Sequence, residues 1–255
     1  MERLSDMKVL VIGETCKDVF IYGDVNRLSP EAPIPVIEPK RKVINRGMAE
    51  NVKLNINALG LQADLITNSE EIIKTRYVDD SYNYILLRVD DNDKVSNINI
   101  ETLPNLETFD LVVFADYNKG FLKKQDIHLI SSKCKCPTFL DTKKKLGTWC
   151  EHISYIKINY QEYLRSKTQI QKYEWLKNKT IVTRGPNGCD FNEKNYPTKE
   201  VGVKDVAGAG DSFLAGLIFK YIHTYDIDQS IEFANRCSTQ VVQMRGVSII
   251  NKNKL

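Results

Sequence analysis

The chain has 255 residues, room for one large domain or for one domain with a small appendage. Hydrophobic residues make up 42% and charged residues 27%, the ordinary mix of a globular protein, and a net charge of +3 is too weak a basic balance to suggest nucleic acid as a partner. No apolar run approaches membrane-spanning length, and the opening "MERLSDMKVLVIG" mixes both charge signs before entering an apolar strand, so no membrane partner, no signal peptide and a cytoplasmic location are expected.

In chain order, "KVLVIG" (8–13) has the pattern of a buried strand. "DVFIYG" (18–23) and "APIPVIEP" (32–39) read as short extended segments, the second kept out of helix by its prolines. "AENVKLNINALG" (49–60) is helical, with Val52, Ile56 and Leu59 on one face and Gly60 as its stop. Strands follow at 63–67, 84–90 and 110–117, then a helix at 123–132, strands at 137–141 and 153–159, and a strand entering a glycine turn over 179–188. Two helices, 211–223 and 227–243, close the series. Strands alternating with helices predict an α/β fold, a mainly parallel sheet with helices on both faces. Functional residues should then gather at the carboxyl ends of the strands, where Asp116, Asp141, Asn159 and Arg184 fall. The segments near 18–37 and 77–90 break the alternation and predict a small β lid on a single 1–255 domain.

The six cysteines show no disulfide spacing. Cys134, Cys136 and Cys150 with His128 and His152 match no standard zinc pattern, so free, mostly buried thiols and no metal site are expected. The lysine-rich runs at 39–42, 141–145 and 251–254 read as solvated surface.

The most informative stretch is "KDVAGAGDSFLAG" (204–216). A small-residue turn feeds straight into a helix, which presents unpaired N–H groups at the positive end of a helix dipole. That is a seat for phosphate. No G-x-x-x-x-G-K-[ST] loop is present, and Phe213 breaks the G-x-G-x-x-G pattern. Asp211 at the end of this turn reads either as a base that takes a proton from an attacking hydroxyl or as a helix cap.

"DVAGAGDSFLAGLI" resembles the C-terminal hallmark of the ribokinase-like (phosphofructokinase-B-type) carbohydrate kinases, and the likeness runs in order from about residue 8 to about residue 250. The resemblance implies a ribokinase-like fold, ATP and Mg2+ as cofactors, Asp211 as catalytic base, and Gly208, Ala209 and Gly210 as the anion hole. It implies Asp18, in "VIGETCKDVF", and Gly47 and Asn51, in "RGMAENVKLNINALG", on the sugar side. It also implies Asn159 and Glu162 ("KINYQE") around magnesium and phosphate, Thr183, Gly185 and Gly188 ("VTRGPNG") in the nucleotide loop, and Asn235 near the adenine. Within the family, "RLSPEAPIPV" (27–36), "DYNKG" (116–120) and "DTKKK" (141–145) resemble the domain that phosphorylates the anomeric hydroxyl of D-glycero-D-manno-heptose 7-phosphate, a lipopolysaccharide precursor. By charge, Lys143 and Arg88 are expected near the phosphate such a substrate already carries. Another small sugar, such as ribose or fructose 6-phosphate, is the alternative substrate, and a non-catalytic nucleotide- or sugar-binding protein is the alternative function. A homodimer through the lid strands is expected by the same resemblance.

There are departures. Arg46-Gly47 stands where two glycines are usual, with Met48 following; Glu50 replaces a small residue and is expected to put a negative charge near the sugar pocket; Ala207 replaces a common threonine. About a helix and a strand of lid-side structure are missing between 67 and 74, and no nucleotidyltransferase domain of the kind often fused to the heptose kinase is expected in the chain.

Overall fold

A computed structural model describes residues 7–255; the charged opening at 1–6 lies outside the described residues. The first strand shows how the layers arise. In β1 (Lys8–Gly13), Val9 and Val11 point to one face while Leu10 and Ile12 point to the other, and all four are fully buried. A strand apolar on both faces needs cover on both. Val9 and Val11 join a core with Val52, Ile56 and Leu59 of α1 (Ala49–Leu59), Phe213, Leu217 and Ile218 of α5 (Ala209–Thr224), and Ile231 and Ala234 of α6 (Ile227–Val241). Leu10 and Ile12 join a second core with Ile127 and Ile130 of α2 (Lys124–Lys133) and Ile170 of α3 (Tyr160–Lys172). Each such side chain, fully buried, contributes roughly 1.5–3 kcal/mol.

The main sheet is mostly parallel. β4 (Gln62–Ile66), β1, β7 (Leu111–Asp116), β8 (Thr138–Thr142), β9 (Tyr155–Asn159) and β10 (Thr180–Thr183) lie side by side in that order. The parallel pairs align their carboxyl ends, with Gly13 opposite Ala115, Ala115 opposite Asp141, and Asp141 opposite Lys157. An antiparallel hairpin of β11 (Cys189–Phe191) and β12 (Lys194–Tyr196) finishes one edge. The expected α/β architecture with helices on both faces is observed.

A second sheet has the order β3-β2-β5-β6, from β2 (Thr15–Leu28), β3 (Pro35–Met48), β5 (Ile72–Asp79) and β6 (Tyr84–Asp91). It is larger than the sequence suggested. The segments expected at 18–23 and 32–39 are parts of two strands of 14 residues each. The lysine-rich run at 39–42 is the exposed middle of β3, at the sheet edge, where charged side chains discourage pairing with another chain. Three further elements were not anticipated: α3, the short α4 (Glu174–Lys177) and the β11–β12 hairpin. In α3 only Glu162, Ser166 and Ile170 are buried, a face too poor in apolar residues to signal a helix.

The thiols are mostly buried: Cys16, Cys150, Cys189 and Cys237 lie inside, Cys134 and Cys136 nearer the surface, and all six are free. No helix among the described residues is long and apolar enough to cross a membrane.

The α5–α6 contact sets where the phosphate-facing end of α5 sits, and it leaves no room at Gly216. A β-carbon there would lie 2.7 Å from the Cys237 sulfur and 3.1 Å from the Ala234 α-carbon. Gly216→Val should therefore destabilise the protein by about 1–3 kcal/mol in urea unfolding. Adding Cys237→Ala should recover part of that loss; no recovery would place the strain elsewhere.

Candidate functional site

The carboxyl ends of the parallel strands meet the inner face of the small sheet around a cavity of about 480 Å³. Cys16, Asp18, Lys74, Arg76 and Arg88 come from the small sheet, and Tyr117, Asp141, Lys157, Asn159 and Thr183 from the strand ends. The turn before α5 closes the floor with Ala207, Gly208, Gly210 and Asp211. A second cavity of about 580 Å³ lies against the first and shares Thr183, Gly185, Val206 and Gly210 with it. Its own walls include Gly188, Val203, Ala209, Phe213 and Asn235.

The turn is built as its sequence implied. Gly208 is the N-cap residue of α5, at φ 80°, a left-handed conformation that suits glycine. A β-carbon there would also press on the Asn51 amide at 2.9 Å. In the first turn, Ala209 N–H donates to Val206 O at 3.2 Å and Ser212 N–H to Gly208 O at 2.9 Å. The N–H groups of Gly210 and Asp211 have no backbone acceptor among the described residues. Gly208 N–H likewise has no acceptor among them, so Gly208 and Gly210 of the expected 208–210 turn offer free donors and Asp211 adds a third. Asp205 braces the turn from behind, accepting from Ala207 N at 2.9 Å and Gly246 N at 3.0 Å.

Asp211 is buried. Asn51 Nδ2 donates to its Oδ2 at 2.8 Å, and the Tyr117 hydroxyl donates to its Oδ1. Burial pushes the carboxyl above its ordinary 3.8, and the nearby Asp141 adds to the rise; Tyr117, Asn51 and Lys157 pull the other way without cancelling it. Burial, and then the Asp211 charge, push Tyr117 well above 10, so it stays a phenol and a donor.

Tyr117 is a residue the sequence reading missed. It is aimed by a second unanticipated group, Glu14. That carboxylate is fully buried and accepts from the backbone N–H of Tyr117 at 2.8 Å, Lys119 at 2.9 Å and Phe121 at 3.3 Å. Asp116 fastens the same segment to the next strand, accepting from Asn118 N, Lys144 Nζ and Thr142 Oγ1. A carboxylate directly after a strand glycine, in "GETC", marks Glu14 in the sequence but does not show which distant segment it holds.

The remaining expected residues divide between the two cavities. Asp18 faces the first, ion-paired with Arg76 at 2.6 Å. Gly47 makes that possible, because a β-carbon at 47 would meet Asp18 Oδ2 at 2.1 Å. Asn51 lies behind Asp211, its own Oδ1 accepting from Asn55 at 3.0 Å, and is not among the residues lining the cavity. Asn159 and Glu162 form a capping box at the start of α3. Glu162 Oε1 also meets Lys143 Nζ at 2.6 Å. Burial alone would lower the Lys143 pKa, but Asp141 and Glu162 outweigh it and raise it. Thr183 and Gly185 border both cavities. Gly188 lines the second, as does Asn235, whose Nδ2 donates to Tyr196 O at 3.0 Å.

Two departures look different in three dimensions. Glu50 does not line the first cavity; it points to Arg46 near the end of β3, 3.6 Å away, which corrects the expectation of a charge in the sugar pocket. The residue that breaks the glycine pair is Met48, which takes φ 58° and ψ −133° and lines the cavity. A side chain held there costs on the order of 1–3 kcal/mol.

The cations of the first cavity are mostly paired. Arg76 pairs with Asp18, Arg88 with Asp90 at 2.6 Å, Lys143 with Glu162, and Lys157 with Asp141 at 2.8 Å. Lys74 makes no ion pair among the described residues, and burial lowers its pKa. Asp141 Oδ1 is buried with no hydrogen-bond partner among them.

The raised Asp211 carboxyl carries a stability prediction. Its contribution to stability is complete below about 3.8 and is lost as pH rises through the higher folded-state value. Asp211→Asn removes that loss. The variant's thermal midpoint, relative to wild type, should therefore improve as pH rises from 4 to 8, and a relative decline over that range would contradict the assigned direction.

Comparison with known proteins agrees with this architecture. Residues 89–254 match the family described as pfkB family carbohydrate kinase. A curated relative, bifunctional protein HldE of Helicobacter pylori strain J99, is 30% identical; the alignment takes in 97% of this chain, which spans 65% of that relative's length. Ribokinase from Thermotoga maritima superposes with a TM-score of 0.73 at 14% identity, covering 96% of this chain and 97% of that one. Arabidopsis thaliana ribokinase, solved with ribose and ATP, gives 0.68 at 13% identity, covering 96% of each chain. With its fold matching the ribokinases and two thirds of its length matching the family, the chain belongs to the pfkB family of carbohydrate kinases.

Proposed function

We propose that the chain is an ATP-dependent kinase of a phosphorylated sugar, with the anomeric hydroxyl of D-glycero-D-manno-heptose 7-phosphate as the leading acceptor. The observation that carries the kinase reading is the pairing of a buried, raised carboxyl at Asp211 with two free N–H groups on the same helical turn. The sugar lies in the first cavity and the nucleotide in the second, so that the γ-phosphate reaches the shared wall of Thr183, Gly185 and Gly210. The acceptor hydroxyl displaces Tyr117 or Asn51 from one Asp211 oxygen and gives up its proton there. Its oxygen attacks the γ-phosphorus in line as the bond to the ADP oxygen breaks. The N–H groups of Gly210 and Asp211, at the positive end of a 16-residue helix, receive the charge on the transferring group. Lys157 Nζ supports them, lying 3.0 Å from where a Gly210 β-carbon would be.

Magnesium would supply charge neutralisation at the transferring phosphate, and this chain's residues would only hold it. The residues that fit it are Asp141, with its open buried oxygen, and Glu162, held in place by Asn159.

Support for a phosphorylated acceptor comes from Lys74, the cavity cation without a carboxylate partner. Support for a heptose comes from the segments 27–36, 116–120 and 141–145 and from the name bifunctional protein HldE borne by the curated relatives. Asp116 joins two of those segments beside the site. The small sheet also exposes Ile44, Tyr84, Leu87 and Val89, and a second copy of the chain is the proposed cover. Sedimentation should then show a dimer that Leu87→Asp dissociates.

ADP release measured over a panel of sugars and sugar phosphates tests the activity. Heptose 7-phosphate should give the highest kcat/KM, and Asp211→Asn should lower kcat by about 10²–10⁴-fold. The acid limb of the wild-type profile should lie above 3.8, in the direction of the Asp211 shift. ATP binding without turnover on any acceptor would instead favour a non-catalytic binding protein, and undiminished turnover in the variant would remove Asp211 from its role.

A further inference from the structure

Two of the chain's three histidines meet at one corner of the molecule, away from the cavities. His128 lies on α2, between the buried Ile127 and Ile130. His152 and Glu151 follow a single 3-10 turn at Thr148–Cys150, just before β9 begins at Tyr155. The corner is therefore at the amino end of β9, whereas the candidate active site is at its carboxyl end.

The ligating atoms are close. His152 Nε2 is 3.4 Å from Glu151 Oε1, and His128 Nε2 is 3.8 Å from the same oxygen. One ligand atom from each of the three residues can be chosen so that all lie within 4.8 Å of one another. Atoms bound to a tetrahedral zinc at about 2.0–2.2 Å are about 3.3–3.6 Å apart, so only a small contraction separates this arrangement from a coordination shell. The two imidazole rings stand 4.9 Å apart at 45°.

The backbone under the cluster is pinned. Lys179 Nζ donates to Glu151 O at 2.9 Å and to Ile153 O at 2.7 Å, and Thr138 Oγ1 donates to His152 O at 3.2 Å. Cys150 and Ile153, on either side, are buried. His128 Nδ1 is buried without a hydrogen-bond partner among the described residues, so nothing in the fold uses that ring beyond its contact with Glu151 and His152. The cysteines that made zinc conceivable from sequence do not join this group. Cys150 is fully buried, and Cys134 Sγ donates to Ile130 O at 3.3 Å.

We propose that His128, Glu151 and His152 form a site for a zinc-class divalent transition metal, which clips α2 to the turn before β9. Two imidazoles and one carboxylate select Zn2+, Ni2+ or Cu2+ over Mg2+ or Ca2+, so the site is chemically separate from any magnesium at the phosphoryl-transfer centre. All three side chains are partly exposed, which leaves the fourth position to water.

The test is zinc titration by calorimetry on the full, tag-free chain. One Zn2+ should bind, and millimolar Mg2+ should not displace it. His128→Gln and His152→Gln, each shown to be folded by circular dichroism, should weaken binding by at least about ten-fold. Zinc should raise the thermal midpoint of wild type and not that of the double variant. Co2+ substituted at the site should show no thiolate charge-transfer band. The proposal is overturned if wild type binds no zinc at tens of micromolar, if the double variant binds it as tightly, or if the Co2+ spectrum reports sulfur.

Discussion

Asp211 is held by two donors from distant parts of the chain, and the geometry of the first cavity depends on that junction. Asn51 reaches it from α1 and Tyr117 from the segment after β7. Neither donor is free to choose its position. Asn51 is set by the helix that Gly47 and Met48 introduce, and Tyr117 by the three N–H bonds that Glu14 accepts from residues 117, 119 and 121. Glu14 is itself fully buried at the end of β1, where desolvation and then the neighbouring Asp116 raise its pKa. A buried carboxylate of this kind is costly unless its lone pairs are filled, and here backbone amides fill them. The central strand thus fixes a loop, and the loop fixes the phenol that meets Asp211.

This explains which parts of the site were legible in the sequence. The turn at 208–210 and Asp211 were readable because a local signal, small residues followed by an apolar helix, produces a local structure. Asn159 and Glu162 were placed by the family resemblance alone; the helix they cap was not read, because its buried face has little apolar pattern. Tyr117 and Glu14 are not legible, because their roles arise from contacts across 94 and 103 positions of sequence. No periodicity encodes such a contact. The long β2–β3 pair was underestimated because β3 lies at a sheet edge, where its exposed run of proline, lysine and arginine resembles a loop. The alternation of the inner strands survived because both of their faces are buried.

The same contrast applies to the glycine segment. The residue pattern puts the departure at Arg46, but the backbone puts it at Met48, whose positive φ is the conformation a glycine would take without strain. Met48 is packed with Cys16 and Ile72, so burial of its side chain offsets part of the backbone cost. The departure therefore alters the wall of the first cavity on the small-sheet side. The α5 side, where Gly208 keeps its left-handed conformation, is unaltered.

The unfavourable features of the fold concentrate around that cavity, and their signs differ by position. Lys74 is a buried cation without a carboxylate, on the small-sheet side. The unpaired N–H groups of Gly210 and Asp211 are a second electropositive spot, on the opposite side. In the same cavity, Asp141 keeps one oxygen without a donor and Asp211 carries a charge that burial disfavours. A ligand with anionic groups at both ends would relieve the two electropositive spots. A hydroxyl would give Asp211 a donor, and a cation would use the open Asp141 oxygen. The proposed pairing of a phosphorylated acceptor with a nucleoside triphosphate would bring each of those groups. The two apolar cores on either face of the main sheet supply the stability that lets these groups remain unsatisfied until a ligand arrives.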